Sequence, residues 1–111
     1  MKTLLDVADP QIEWKQVEEP EPARGYEGVA WAMVRWNEIW DDPRIEAEEY
    51  IDGGDRIVVL IRHRGRGKAS GVEIDMASYH LFTVRQRRIV AMYEFGPGKR
   101  AEALEAVGLS E

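Results

Sequence analysis

Between Val72 and Val84 the chain alternates almost without exception. Val72, Ile74, Met76, Ser78, His80, Phe82 and Val84 fall on one side of an extended backbone, and Glu73, Asp75, Ala77, Tyr79, Leu81 and Thr83 on the other. Successive side chains of a β-strand point to opposite faces, so this segment reads as one long strand with its first set turned to a core. A strand of that length needs neighbours on both sides. The β-branched run Ile57-Val58-Val59-Leu60-Ile61, apolar on both faces, and Ile89 to Phe95 supply them as central strands. Turn chemistry separates the strands: Asp52-Gly53-Gly54-Asp55 makes a hairpin of Arg44–Ile51 with Arg56–Arg64, Gly65 to Gly71 returns the chain, and Arg85-Gln86-Arg87-Arg88 makes a tight reversal.

Ahead of these strands the period changes. Tyr26, Val29, Met33, Trp36 and Trp40 recur at spacings of three and four, which predicts an amphipathic helix from Gly25 to about Trp40, stopped by Asp41-Asp42-Pro43. Trp31 falls off that stripe. Leu4, Leu5 and Val7 suggest a helix stub before Asp9-Pro10. Ile12–Val17 reads as a strand, Glu18–Pro22 as an acidic loop, and Lys99–Val107 as a short terminal helix stopped by Gly108. One helix followed by successive hairpins argues against parallel βαβ units. The expected architecture is α+β: a curved antiparallel sheet forming a cone-shaped barrel around one long amphipathic helix, with a short C-terminal helix and an apolar pocket between sheet and helix.

Composition removes several function classes. The 111 residues fit one domain, 1–111, and 44% hydrophobic with 32% charged residues is a globular balance. Fifteen basic against 21 acidic residues give a net charge of −6, so nucleic acid is not an expected partner. The cluster Arg62, His63, Arg64, Arg66 and Lys68 reads as a solvated hairpin rim, with anion binding as the lesser alternative. Absence of cysteine removes disulfides and thiolate catalysis and leaves zinc only two histidines plus carboxylates, so no metal and no cofactor is expected. No run approaches the ~20 apolar residues of a membrane helix, and no secretory leader is evident, so neither a membrane partner nor export is expected and the location by default is cytoplasmic.

His80 and Ser78 are the polar exceptions on the core face of the long strand. A buried imidazole needs a hydrogen-bond partner or a lowered pKa, which makes His80 the leading candidate for a pocket acid, base or carbonyl-holding group, beside the plain alternative of a satisfied core histidine. Among Glu13, Glu49 and Glu94, Glu94 shares its parity with Val90 and Met92 and is the preferred catalytic partner. Trp14, Trp36, Met76, Ser78, Phe82 and Tyr93 are the expected ligand-binding residues. No serine-nucleophile elbow is present, and Gly65-x-Gly67 joins two strands rather than a strand to a helix, so it is no phosphate loop.

The ordered set Asp9-Pro10-Gln11-Ile12-Glu13-Trp14, Gly25-Tyr26-Glu27-Gly28-Val29, Ile51–Leu60, Gly65-Arg66-Gly67 with Ser70-Gly71-Val72, Tyr79-His80-Leu81-Phe82 and Ala101–Leu109 resembles the SnoaL-like branch of the nuclear transport factor 2-like superfamily. The resemblance implies a cone-shaped α+β barrel, a homodimer through the outer sheet face, and a pocket that in different members performs isomerisation, aldol-type cyclisation, hydration or hydrolysis, or binding alone. It places His80 where many members have histidine and where ketosteroid isomerases hold the acid that donates to the substrate oxyanion. It places Trp14 near the isomerase general base, a role tryptophan cannot fill, and so argues against ketosteroid isomerisation. Before the Asp-Pro strand entrance the family has a fuller helical segment than Met1 to Ala8, which implies a pocket open on that side, one covered by a partner chain, or a shortened start. Two readings follow: a hydrophobic small-molecule binding domain, with isomerase, cyclase or hydrolase-type chemistry at His80, or a non-catalytic homodimeric interaction module with a filled core and Tyr79 and Leu81 as its outward anchors.

Overall fold

A computed structural model describes residues 4–17 and 19–109, so Glu18 of the expected acidic loop lies outside the described residues. The elements in chain order are α1 (Leu4–Val7), β1 (Ala8–Lys15), β2 (Ala23–Arg24), α2 (Gly25–Ile39), β3 (Trp40–Asp52), β4 (Arg56–Gly67), β5 (Glu73–Arg85), β6 (Arg88–Phe95) and α3 (Arg100–Ala106). The strands form one six-stranded sheet in the order β2-β1-β6-β5-β4-β3. The class is α+β, as the periodicities predict. No helix among the described residues is long and apolar enough to cross a membrane.

Two features of the expected barrel are corrected. The sheet is mixed, because β1 runs parallel to β6, its neighbour in space, while every other pair is antiparallel. It is also open: the end strands β2 and β3 do not pair with each other. A parallel pair requires a long connection rather than a tight turn, and everything from α2 to β5 lies between these two strands in the chain. Local periodicity carries no information about such a distant pairing.

The central ladder is regular. β4 and β5 pair without a register shift from Arg56 opposite Thr83 to Arg66 opposite Glu73. β3 departs from ideal geometry twice, between Asp41 and Arg44 and between Ala47 and Glu49. Extra residues of this kind bend a strand and increase its twist, which curves the sheet towards α2. The Asp41-Asp42-Pro43 stop is therefore an irregularity within β3, with Asp42 at φ 51°, rather than a loop before it. Likewise β4 continues through the supposed basic turn to Gly67, and Val72 lies outside β5 and is exposed. At the β5–β6 reversal Gln86 and Arg87 take φ values of 51° and 65°, the backbone that a two-residue hairpin requires.

Each face of the sheet has its own core. On the inner face Val29 of α2 packs with Ala8 and Ile12, and Trp14, Met33 and Ile89 lean on them. On the outer face α3 lays Ala103 over Val58 and Leu81, with Tyr79, Phe95 and Val107 around them. Leu81 is thus buried under the chain's own C-terminal helix, and Tyr79 packs beside it, so neither is the outward anchor expected for a partner.

The β3–β4 hairpin fits closely against the end of α3. A Cβ added at Gly53 would stand 2.6 Å from Val107 Cβ and 2.9 Å from the Arg56 carbonyl oxygen, and the latter accepts a hydrogen bond from the Gly53 amide at 2.8 Å. Substitution must therefore push the hairpin or the helix aside. Gly53→Ala is expected to cost about 1–3 kcal/mol, the range for overpacking, read as a lower denaturant midpoint with unchanged circular dichroism.

Candidate functional site

Strand parity assembles the polar centre of the inner face. His80 of β5 stands opposite Val59 of β4 and Glu94 of β6, Ser78 opposite Ile61, and His63 opposite Met76. The four polar side chains connect into a chain. His63 Nε2 is 3.2 Å from Ser78 Oγ, Ser78 Oγ is 3.1 Å from His80 Nε2, and His80 Nε2 is 3.2 Å from Glu94 Oε2. His63, Ser78 and His80 retain 6%, 3% and 6% exposure. Glu94 Oε1 also accepts from the Val17 amide at 3.0 Å, which ties the segment after β1 to the same carboxylate.

The electrostatics decide where the protons sit. Burial pushes the Glu94 carboxyl up, but hydrogen bonds from His80 and the Val17 amide, with the two imidazoles, outweigh it and hold Glu94 below the ordinary carboxylate value. An ionised Glu94 accepts, so His80 Nε2 carries a proton and donates to it. Ser78 Oγ then donates to His63 Nε2. Burial first, and then the neighbouring His80, push His63 below its ordinary value of 6.5, against an opposing pull from Glu94. A neutral His63 accepting at Nε2 carries its proton on Nδ1.

His63, His80 and Glu94 of this chain line a cavity of about 280 Å³ between the sheet and α2, whose lining is mostly apolar and includes Trp14, Met33, Trp36, Met76, Phe82 and Met92. Trp14 meets Phe82 edge-on with centroids 6.3 Å apart, and Trp36 approaches His63 in the same manner at 5.5 Å. His63 stacks on His80, and His80 on Phe82. The helix and the curved sheet thus bring Trp14, Trp36, Met76, His80, Phe82 and Glu94 to one cavity, with Ser78 bonded beneath it.

Tyr93 is the exception. It pairs with Leu81 on the outer face, is 48% exposed, and packs against Phe95 at 4.9 Å between centroids. Its placement in the pocket is corrected. Its parity, opposite to that of Met92 and Glu94, was the available signal. Glu13 pairs with Arg24, and Glu49 pairs with Arg100; neither lines the cavity.

His63 is the residue that sequence reasoning misplaced on a hairpin rim. Arg62, Arg64 and Arg66 do face outward, paired to Glu48 and Asp75, to Glu46 and to Glu73. The alternation of those arginines was the sign of a continuing strand, and it turns His63 inward with Val59 and Ile61.

His63, His80 and Glu94 form a candidate metal-binding group among the described residues, with one potential donor atom from each within 4.8 Å of the others. The fit is poor. A metal-bound imidazole almost always donates its second N–H to a carboxylate, carbonyl or water, whereas Nδ1 of both histidines is buried with no partner among the described residues. Ser78 Oγ, moreover, already bridges the two Nε2 atoms.

Residues 1–92 match the model of the SnoaL-like domain, and the chain belongs to that family. No curated protein matches it in sequence. Among solved structures it is similar to a protein from Jannaschia sp. CCS1 described as a SnoaL-like polyketide cyclase, with 19% identity and a TM-score of 0.76 over 83% of this chain and 68% of that one. A nuclear transport factor 2-like protein of unknown function from Burkholderia pseudomallei K96243 gives 19% identity and a TM-score of 0.76, covering 95% of this chain and 82% of its own. A hypothetical protein of ketosteroid isomerase-like fold from Catenulispora acidiphila DSM 44928, in complex with trimethylamine, gives 12% and 0.76 over 95% and 79%. At these identities the likeness establishes the fold.

Acid should loosen this site. The native state resists protonating His63, whereas the unfolded chain takes up that proton near pH 6.5, so the stabilisation is full above that value and falls as pH drops below it. Glu94, held low, adds a further loss as pH falls through its folded-state value. Denaturant titrations from pH 7.5 to pH 5.5 should show stability declining by at most about 1.4 kcal/mol per pH unit for each proton, and His63→Asn should flatten the slope.

Proposed function

We propose that this chain binds an apolar small molecule in the cavity beneath α2 and holds a polar atom of that molecule at the His80–Glu94 pair. The observation that carries this reading is the meeting of an aromatic-walled cavity with a buried, mutually bonded His63–Ser78–His80–Glu94 chain. A core that existed for stability alone gains little from such a chain. Burying a carboxylate and two imidazoles is costly unless each is fully bonded, and here Nδ1 of both rings finds no partner among the described residues. The family supports the same reading, as does the trimethylamine complex of the Catenulispora relative.

The pair is also suited to moving a proton in isomerase- or cyclase-type chemistry. Glu94 orients the His80 ring and stabilises an imidazolium if His80 takes up a proton, while the aromatic walls keep water away. Tryptophan at position 14 puts no general base on that wall.

Calorimetry and thermal-shift measurements with phenyl-bearing alcohols, ketones and amines test the proposal. At least one class should raise the melting temperature and bind with one-to-one stoichiometry. His80→Ala should weaken that binding by about tenfold or more, the cost of one buried hydrogen bond, without unfolding the chain. Absence of a shift from every class, or binding untouched by His80→Ala, refutes the assignment. If a reaction accompanies binding, His80→Ala should abolish turnover while the circular dichroism stays native.

A further inference from the structure

The charge inside the cavity is lopsided. Among the described residues Glu94 is the only acidic group lining the cavity, with a side chain 13% exposed, and no lysine or arginine lines it. The one ion-pair partner of Glu94 among the described residues is His80, which is charged only if protonated. Lys15 bonds the Gln16 carbonyl and Arg35 pairs with Glu19, and neither lines the cavity. Burial pushes Glu94 up, but the hydrogen bonds from His80 and Val17 outweigh it and hold the carboxyl below its ordinary value, so the negative charge persists at neutral pH with no described lysine or arginine as counter-ion. A ligand carboxylate or phosphate would be desolvated beside that charge and meet no cation, an arrangement that binding cannot offset.

The walls favour the opposite sign. Trp14, Trp36 and Phe82 line the same cavity, and aromatic faces attract cations, tryptophan most strongly. Each Glu94 oxygen carries one described bond, and a carboxylate has about four acceptor positions in all, so capacity remains for a further donor.

We propose that the ligand is a small hydrophobic amine, bound as its ammonium ion, with Glu94 as counter-ion and Trp14, Trp36 and Phe82 as walls. This rests on the cavity being a small-molecule site and specifies the class it selects. A divalent cation is the less favoured occupant, because the unpartnered Nδ1 atoms deny the histidines the outer bonds that ligating imidazoles make.

A charge series on one apolar frame decides the matter. Phenethylamine, phenethyl alcohol and hydrocinnamate are titrated into the protein by calorimetry at neutral pH. The amine should bind about tenfold more tightly than the alcohol and about a hundredfold more tightly than the carboxylate, and Glu94→Gln should bring amine and alcohol to within about threefold of each other. An alcohol that binds as well as the amine, or a carboxylate that binds better, overturns the assignment but leaves the small-molecule site standing. Failure of all three to bind overturns both. Saturable one-to-one binding of zinc that excludes the amine overturns it in favour of a metal. Should Glu94→Gln not fold, the wild-type series still decides, since the order of affinities differs for each outcome.

Discussion

The unbroken antiparallel ladder between β4 and β5 is the constraint on which the rest depends. It holds from Arg56 opposite Thr83 to Arg66 opposite Glu73, and because side chains alternate strictly, one register assigns every residue of both strands to a face. A slip of β4 by one residue would send His63 outward, away from Ser78 and His80, and bring its arginines to the inner face beneath α2. The ion pairs of Arg62, Arg64 and Arg66 with the acidic residues of β3 and β5 would be lost in the same movement. These pairs are half-exposed and each contributes little, but together they oppose the wrong register.

With that register in place, the sheet serves two different purposes. Its outer face carries charged ladders along β3 to β5 and α3 packed on Val58 and Leu81. The inner face is left incomplete. α2 closes firmly on β1 through Val29, Ala8 and Ile12 but stands away from the middle of the sheet, where the aromatic side chains bridge the gap instead of filling it. Curvature from the irregular pairing of β3 maintains that separation. The polar chain sits where the gap is, the place in the fold where a buried carboxylate can be useful without being fully neutralised.

Much of this was legible in the residues. The period of the Gly25–Ile39 helix, the alternation of β5 and the hairpin chemistry at Asp52–Asp55 each place an element through local sterics, and the inward direction of His80 follows from the parity of its strand. Glu94 followed in the same way from Val90 and Met92. His63 did not, because a run apolar on both faces hides its own parity, and the arginines beside it resemble a solvated turn. The alternation of β5 turns Leu81 outward, which is correct for the sheet; the helix that covers it comes from residues 100–106, too distant for any periodicity to report.

The amino-acid sequence by itself determined which segments are helix and strand, which residues share a face, and that the chain carries a histidine and a carboxylate on the core side of adjacent strands. Those are consequences of backbone sterics and of the period of each element, both of which act over a few residues. Tertiary structure alone decided that β1 joins β6 in parallel, that the sheet stays open, that His63 meets Ser78 and His80, and that Glu94 is partly buried with no described lysine or arginine lining its cavity. Pairings across the chain and the balance between burial and hydrogen bonding depend on which distant surfaces come into contact, and so arise only when the sheet curves and α2 closes over it.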